Sequence, residues 1–362
     1  MSKTLVAVVD TVFPTLDPAR DVLAKVDAEL VMAEQPTPDS ILSVASEADA
    51  VLVTYGKITS EVIDGLKNCK VIGRFGIGID NIRQVPCDGN GHMDIVKLEA
   101  MIELSIQNGE KPFFVGATAG TTVRGVFDPF EKIASICKEH GMWYHIDGSW
   151  GGSALLSKKH RTLLRGSELS DSFTWCAHKM MGIPLMCTSI ILKDKTLLKQ
   201  VNSVPGTDYL FHGDDGEELD LGLHSLQCGR RVDSLKLWLA WKYFGDDGYE
   251  DRIDNLFSMA QHAELRINQS KILELLSPVE SLNVCFRIQP PTVDEKKWNE
   301  LTIMVRDRLI MNADTLVNHA SINDKSCIRL ITVNFDLTLD DIDEFMKNVE
   351  EIAQELANEL SK

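Results

Sequence analysis

The stretch Val71–Asp94, VIGRFGIGIDNIRQVPCDGNGHMD, decides how this chain divides. Its first half places Gly76-Ile77-Gly78 just after an apolar run, which invites a dinucleotide-loop reading. Such a loop needs G-x-G-x-x-G: one glycine turns the chain, one admits the pyrophosphate, and one lets helix and strand pack closely. Asn81 stands where the third glycine is required, and no strand ending in an acid follows at the usual distance. The glycine pair therefore reads as a tight turn after a strand. The second half, Pro86-Cys87-Asp88-Gly89-Asn90-Gly91, is turn-rich and opens a stretch of different character. A join falls at Arg83–Val85.

Upstream of the join, apolar strand-like runs at Leu5–Val9, Glu29–Met32, Ala50–Thr54 and Val71–Gly73 alternate with helix-like stretches. The helices lie near Pro18–Lys25, Asp39–Ala45 and Ser60–Leu66, and hydroxyl side chains at Thr37 and Ser60 mark two of their starts. This rhythm predicts a small parallel sheet with helices on its faces. Downstream, Lys97–Gln107 reads as a helix and Pro112–Ala117 as a buried strand. A second helix is marked by Asp128 as cap, Pro129 at its first position, Glu131 completing a capping box, and Gly141 after its end. Strands follow at 142–147 and 172–176, and residues 205–224 predict a mobile acidic loop. From Thr338 an amphipathic helix carries Ile342, Phe345, Met346, Val349, Ile352, Ala353 and Leu356 on one stripe.

A chain of 362 residues with 44% hydrophobic residues can bury the cores of two domains. With 37 basic and 54 acidic residues, a net charge of −17 argues against nucleic acid and anionic membranes as partners. The apolar stretch before Asp10 is too short for a secretory signal, and no run reaches the length of a membrane span. The eight cysteines include no CxxC pair, so a zinc ribbon or disulfide framework is not expected. Reduced thiols in a cytoplasmic protein, with no bound metal, fit this pattern.

Three short words carry the chemistry: Thr118–Thr122, His145-Ile146-Asp147, and Ala177-His178-Lys179-Met180-Met181-Gly182. A carboxylate at the end of a buried strand is costly without a cationic partner or hydrogen bonds. A lysine followed by the apolar Met180 and Met181 at the end of a strand suits a Schiff-base nucleophile. The partner of Asp147 is then a protonated pyridine ring whose aldehyde is bonded to Lys179, the protein side of pyridoxal-phosphate chemistry. Spacing alone leaves open a plain Asp147–Lys179 ion pair, a merely structural His178, and Arg329 as an ordinary strand arginine in a surface ion pair.

Residues 1–82 resemble the first part of a D-2-hydroxyacid dehydrogenase of the phosphoglycerate-dehydrogenase type. That part belongs to the family's substrate-binding domain, and the downstream GxGxxG, arginine and His–acid pair have no counterpart after Ile82. From about Pro86 the chain resembles group II pyridoxal-phosphate decarboxylases, the glutamate and cysteine-sulfinate branch. The matching words are ATAGTTVRGVFDPFEKIASIC (117–137), WYHIDGSWGGSALLSKKHR (143–161), HKMMGIPLMCTSIIL (178–192) and QCGRRVDSLKLWLAWKYFG (227–245).

The resemblances imply an α/β chain in three parts. A flavodoxin-like parallel βα segment spans 1–83, a truncated fold-type I pyridoxal-phosphate transferase domain 84–245, and a small C-terminal α+β domain 246–362. They imply that Lys179 binds the cofactor aldehyde, that Asp147 pairs with the ring nitrogen, and that His178 and Thr122 line the cofactor. Ser149 would sit beside the ring, and Arg329, in CIRLITVN, would take the substrate α-carboxylate. A guanidinium fork suits that bidentate task. The implied reaction is decarboxylation of glutamate, aspartate or cysteine sulfinate, in a homodimer.

Three departures accompany this. The family's loop tyrosine, a proton donor, corresponds to Glu217 or its neighbours, and Cys176-Ala177-His178-Lys179 replaces the common Asn-Pro-His-Lys. The family's long N-terminal half, with its Gly/Ser phosphate cradle, its ring-stacking aromatic residue and much of the dimer interface, has no counterpart in residues 1–82. The chain is therefore expected to be a fusion, an engineered chain or a rearranged gene, with impaired turnover. An inactive chain that pairs with a complete subunit and a remnant of a NAD-dependent dehydrogenase are the alternatives.

Overall fold

A computed structural model describes residues 3–11, 15–54, 56–74, 82–202, 225, 231–312 and 315–360. The glycine pair at 76–78, the 205–224 stretch and the Glu217 position lie outside the described residues. The chain falls into two compact units, Met1–Gln84 and Val85–Lys362.

The first unit alternates β1 (Thr4–Val8), α1 (Asp17–Ala24), β2 (Ala28–Met32), α2 (Pro38–Ala45), β3 (Ala50–Val53), α3 (Ser60–Gly65) and β4 (Val71–Arg74). All pairings are parallel, in the order β2-β1-β3-β4, the opening order of a flavodoxin-like sheet. The near-continuous apolar run of β1 follows from cover on both faces. Ala7 and Val9 pack with Ile41, Val51 and Val62 on one side, while Val8 packs with Leu16 and Leu30 on the other. Helix α3 starts at Ser60 as expected, but the capping oxygen belongs to Thr59, which accepts from the Val62 amide at 3.3 Å. Thr37 makes no side-chain cap at α2.

The second unit opens with α4 (Ile95–Gln107), capped by Asp94, and continues through β5 (Phe114–Thr118), α5 (Phe130–His140), β6 (Trp143–Gly148), β7 (Ser172–Cys176) and β8 (Thr188–Leu192). Strands β5, β6 and β7 run parallel in chain order, and β8 closes the sheet antiparallel to β7. Tyr144 and Ile146 face α5, with the Tyr144 hydroxyl donating to the Phe130 carbonyl at 3.3 Å. Gly141 ends α5 at φ 63°, as its position predicts.

The start of α5 differs from expectation. Pro129 is the cap residue and makes no side-chain bond. Asp128 is instead buried, and its two oxygens accept from the Met93 and Thr118 amides at 2.7 Å each. Buried amides cost more to leave unpaired than helix-end amides that water can reach, so the carboxylate turns inward. Glu131, freed from the capping box, pairs with Arg165 at 3.2 Å.

After α6 (Leu197–Asn202), the long helix α7 (Asp233–Gln269) breaks its helical geometry at Gly245, φ 69°. Strands β9 (Leu273–Leu275), β10 (Asn283–Ile288), β11 (Asn318–Ile322) and β12 (Lys325–Ile331) form an antiparallel sheet in the order β11-β12-β10-β9. Val284, Phe286, Ile328 and Leu330 turn one face onto α7, α8 (Trp298–Met311) and α9 (Leu339–Leu360). Helix α9 buries the whole expected stripe and Ala357 besides. Thr338 and Asp341 cap its start reciprocally: the Thr338 amide donates to Asp341 at 2.8 Å, and the Asp341 amide to Thr338 Oγ1 at 3.3 Å.

Candidate functional site

Thr118, Asp147 and Thr174 are register neighbours across β5, β6 and β7, so a single line marks where these strands end. Just beyond that line the chain runs into Thr121-Thr122, Ser149-Trp150 and His178-Lys179. Carboxyl ends of parallel strands are where open α/β sheets take ligands. Five of the residues singled out from sequence thus stand at one edge of one sheet.

Asp147 is exposed rather than buried, because its side chain leaves β6 on the face away from α5. Its carboxylate accepts the Ser149 amide at 2.9 Å. Asp147 and Lys179 do not pair with each other, and neither has an ion pair among the described residues. That removes the plain ion-pair reading left open by spacing.

Lys179 is half-buried in a turn held by Lys179 N to Cys176 O at 3.2 Å and Gly182 N to Lys179 O at 3.0 Å. Met180 and Met181 anchor the turn from below, at 0% and 2% exposure. Gly182 has φ +67°, and a Cβ there would lie 2.8 Å from the Phe335 ring, so the turn needs glycine twice over. Among the described residues the Lys179 ammonium meets no hydrogen-bonding partner.

His178 is fixed through Nδ1, which lies 2.9 Å from the Cys187 carbonyl and 3.0 Å from the Cys187 amide. One nitrogen serves either the carbonyl as donor or the amide as acceptor, and both tie the ring to the residue before β8. His145, which has no role among the expectations above, lies two residues before Asp147 and so shares its strand face. The ring reaches Ser172 Oγ at 2.8 Å and Thr174 Oγ1 at 3.3 Å, and stacks on Phe114 at 6.0 Å. Burial pushes the His145 pKa down, and the nearby Asp147 charge pulls against that shift.

Thr122 is exposed at the loop after β5, and its carbonyl accepts from Asn283 Nδ2 at 3.0 Å. Arg329 lies on β12 directly across from Cys285 of β10. Facing partners share a side, so Arg329, Cys285, Asn283 and Cys327 occupy the face opposite the helical core. Cys285 Sγ contacts the Val123 carbonyl at 3.2 Å, which directs this face toward the Thr122 loop. Arg329 makes no surface ion pair among the described residues, its Nε is buried without a partner, and burial pushes its pKa down. A buried guanidinium nitrogen without an acceptor is costly unless an anion completes it.

A cleft of about 680 Å³ lined by Leu164, Phe173, Trp175, Ile191 and Trp241 lies on the other side of β7 and includes none of these residues. Among the described residues, no group of three or more His, Cys, Asp or Glu side chains is placed to hold a metal ion.

Comparison with known proteins adds two family matches. The pyridoxal-dependent decarboxylase conserved domain matches residues 48–289, and the catalytic domain of D-isomer specific 2-hydroxyacid dehydrogenases matches residues 6–87. The two overlap at 48–87, whereas the structural division falls at Gln84. Human cysteine sulfinic acid decarboxylase is 37% identical over 294 residues, covering 78% of this chain and 59% of the relative. An L-aspartate decarboxylase of Metarhizium robertsii is 44% identical over 218 residues, covering 59% of this chain and 43% of the relative. A crystal structure of mouse CSAD in apo form superposes with a TM-score of 0.72 at 34% identity, covering 84% of this chain and 64% of that one. The chain thus spans less than two thirds of these relatives' own length.

Proposed function

The chain belongs to the pyridoxal-dependent decarboxylase family, and from that premise we propose that it binds pyridoxal 5'-phosphate and decarboxylates an acidic amino acid. The observation that carries this reading is a set of unneutralised charges. An acid at a strand end, an amine in the next strand's turn and a half-buried guanidinium with its Nε enclosed all lack an ion pair among the described residues. That donor set fits the cofactor and an amino-acid carboxylate.

When bound, pyridoxal phosphate supplies an electron sink for the pair left behind as carbon dioxide departs. The protein's own residues divide the remaining work. Lys179 offers its amine to the aldehyde. Asp147, steadied by the Ser149 amide, holds the proton on the ring nitrogen through its negative charge. His178, fixed through Nδ1, and Thr122 line the cofactor. Arg329 clamps the α-carboxylate as a fork and so fixes which bond lies where cleavage is assisted.

Glutamate, aspartate and cysteine sulfinate are the proposed substrates. The names of the relatives support this class: cysteine sulfinic acid, acidic amino acid and L-aspartate decarboxylases. A homodimer and a cytoplasmic setting belong to the same proposal, and no helix among the described residues is long and apolar enough to cross a membrane. A large domain at 84–245 and a small domain at 246–362 belong to the same proposal, with Ile253, Leu256 and Phe257 of α7 packed into the core of the large one.

Titration with pyridoxal phosphate tests the reading. The chain should develop a saturable visible absorbance that Lys179→Ala abolishes. No Lys179-dependent absorbance at saturating cofactor would contradict it.

A further inference from the structure

Asn283 opens β10 and is fully buried, at 0% exposure. Its Nδ2 donates to the carbonyls of Thr122 at 3.0 Å and Val123 at 2.9 Å, and its Oδ1 accepts from Trp150 Nε1 at 2.8 Å. Carbonyls only accept and an indole N–H only donates, so the carboxamide fits one way round. The chain is moulded closely about it. A Cβ on Gly125, φ +72°, would lie 2.4 Å from Ser281 Oγ and 2.9 Å from Asn283 Cγ. A Cβ on Gly120, φ +83°, would lie 2.7 Å from the Trp150 ring.

Each segment that meets this amide carries a residue of the site. Thr122 belongs to the loop after β5, Trp150 adjoins Ser149 and follows Asp147 closely, and β10 pairs with β12, which bears Arg329. Asn283 itself is in register with Ile331, and its neighbour on the same face, Cys285, is opposite Arg329. Leaving any of these buried polar atoms unmatched is penalised, so the three segments are held at one spacing.

We propose that Asn283 is a positioning residue, setting the distance between Arg329 on the small sheet and the Thr122 and Asp147–Ser149 segments at the edge of the large one. What is positioned rests on the function proposed above; the positioning itself does not. Asn283→Asp is nearly isosteric but sets an oxygen against two carbonyl oxygens. Trp150→Phe removes only the indole bond and leaves the amide on the Thr122 loop.

Amide hydrogen exchange on the full chain without cofactor tests the proposal. Asn283→Asp should speed exchange about tenfold at both 119–126 and 148–152, with the β10–β12 pairing at 284–286 protected as before. Trp150→Phe should speed exchange at 148–152 and, more weakly, at 119–126. Should Asn283→Asp fail to fold, the Trp150→Phe result decides alone. Acceleration at only one of the two segments, or a uniform rise that includes 284–286, overturns the proposal. In the loaded protein, Asn283→Asp should raise KM for the amino acid by a larger factor than it lowers kcat. Absence of any Lys179-dependent cofactor absorbance in the unmutated chain would defeat the proposed function and leave the exchange result standing.

Discussion

Two sheets in one chain, one wholly parallel and one with an antiparallel edge strand, are covered differently. In the β1–β4 sheet, β1 alternates between two apolar clusters, so both faces of that central strand are packed. In the β5–β8 sheet, Tyr144 and Ile146 pack against α5, while the opposite face carries Trp143, His145 and Asp147. On that face Phe114 and Ile190 remain 50% and 52% exposed. Parallel strands are usually buried on both sides. The first sheet commits its central strand β1 to packing on both faces, while Met32, Val71 and Ile72 on its outer strands stay exposed. The second leaves the face away from α5 partly open at Phe114 and Ile190, with Asp147 at its end, and on the α5 side Ile191 of the outer strand is 53% exposed as well. The proposed site residue Asp147 stands at the end of the face that carries Phe114 and Ile190.

The sharpest break in that comparison is a paired truncation within the second sheet. Ile146→Ala, on the packed face at 0% exposure, should cost about 2–5 kcal/mol in urea unfolding of the second unit. Ile190→Ala, on the open face, should stay within about 0.5 kcal/mol. Equal losses would show that both faces are packed alike.

Arg329→Ala tests the proposed carboxylate clamp on β12. It should lower kcat/KM for an acidic amino acid about a hundredfold, with the dissociation constant for pyridoxal phosphate unchanged. A parallel loss of cofactor affinity would show that the arginine serves the cofactor instead. Asp128→Ala leaves the Met93 and Thr118 amides without their acceptor, and should destabilise the second unit by about 1–3 kcal/mol in the same unfolding assay.

The smallest effect concerns His92, which reaches Asp88 at 3.2 Å and Glu280 at 2.7 Å. Burial opposes its protonation, but Glu280 and Asp88 outweigh burial and raise its pKa. A histidine raised in the folded state adds stability that is complete below its unfolded value of about 6.5 and fades as pH rises through the folded value. Unfolding midpoints across that window should therefore fall with pH more steeply in the native chain than in His92→Gln.

The strands of the first unit and the Asp147 and Lys179 strand ends were legible because apolar runs punctuated by polar residues report a sheet edge locally. Asp128 was misread because a cap competes with partners that spacing does not reveal, here an amide 35 residues away. Asp147 was expected to be buried because sequence shows that a strand has an acid at its end but not that one face lacks cover. The place of Arg329 in CIRLITVN was found by resemblance alone, since its face depends on the β10–β12 register. Asn283 left no local signal at all: its partners are 133, 160 and 161 residues distant.

The central claim is that this edge carries pyridoxal phosphate on one lysine. Borohydride reduction of the chain with a modest excess of cofactor, followed by peptide mass analysis, tests it directly. The account predicts one dominant phosphopyridoxyl peptide, modified at Lys179 and lost in Lys179→Ala. A label scattered over surface lysines, with Lys179 no more modified than the rest, would contradict it.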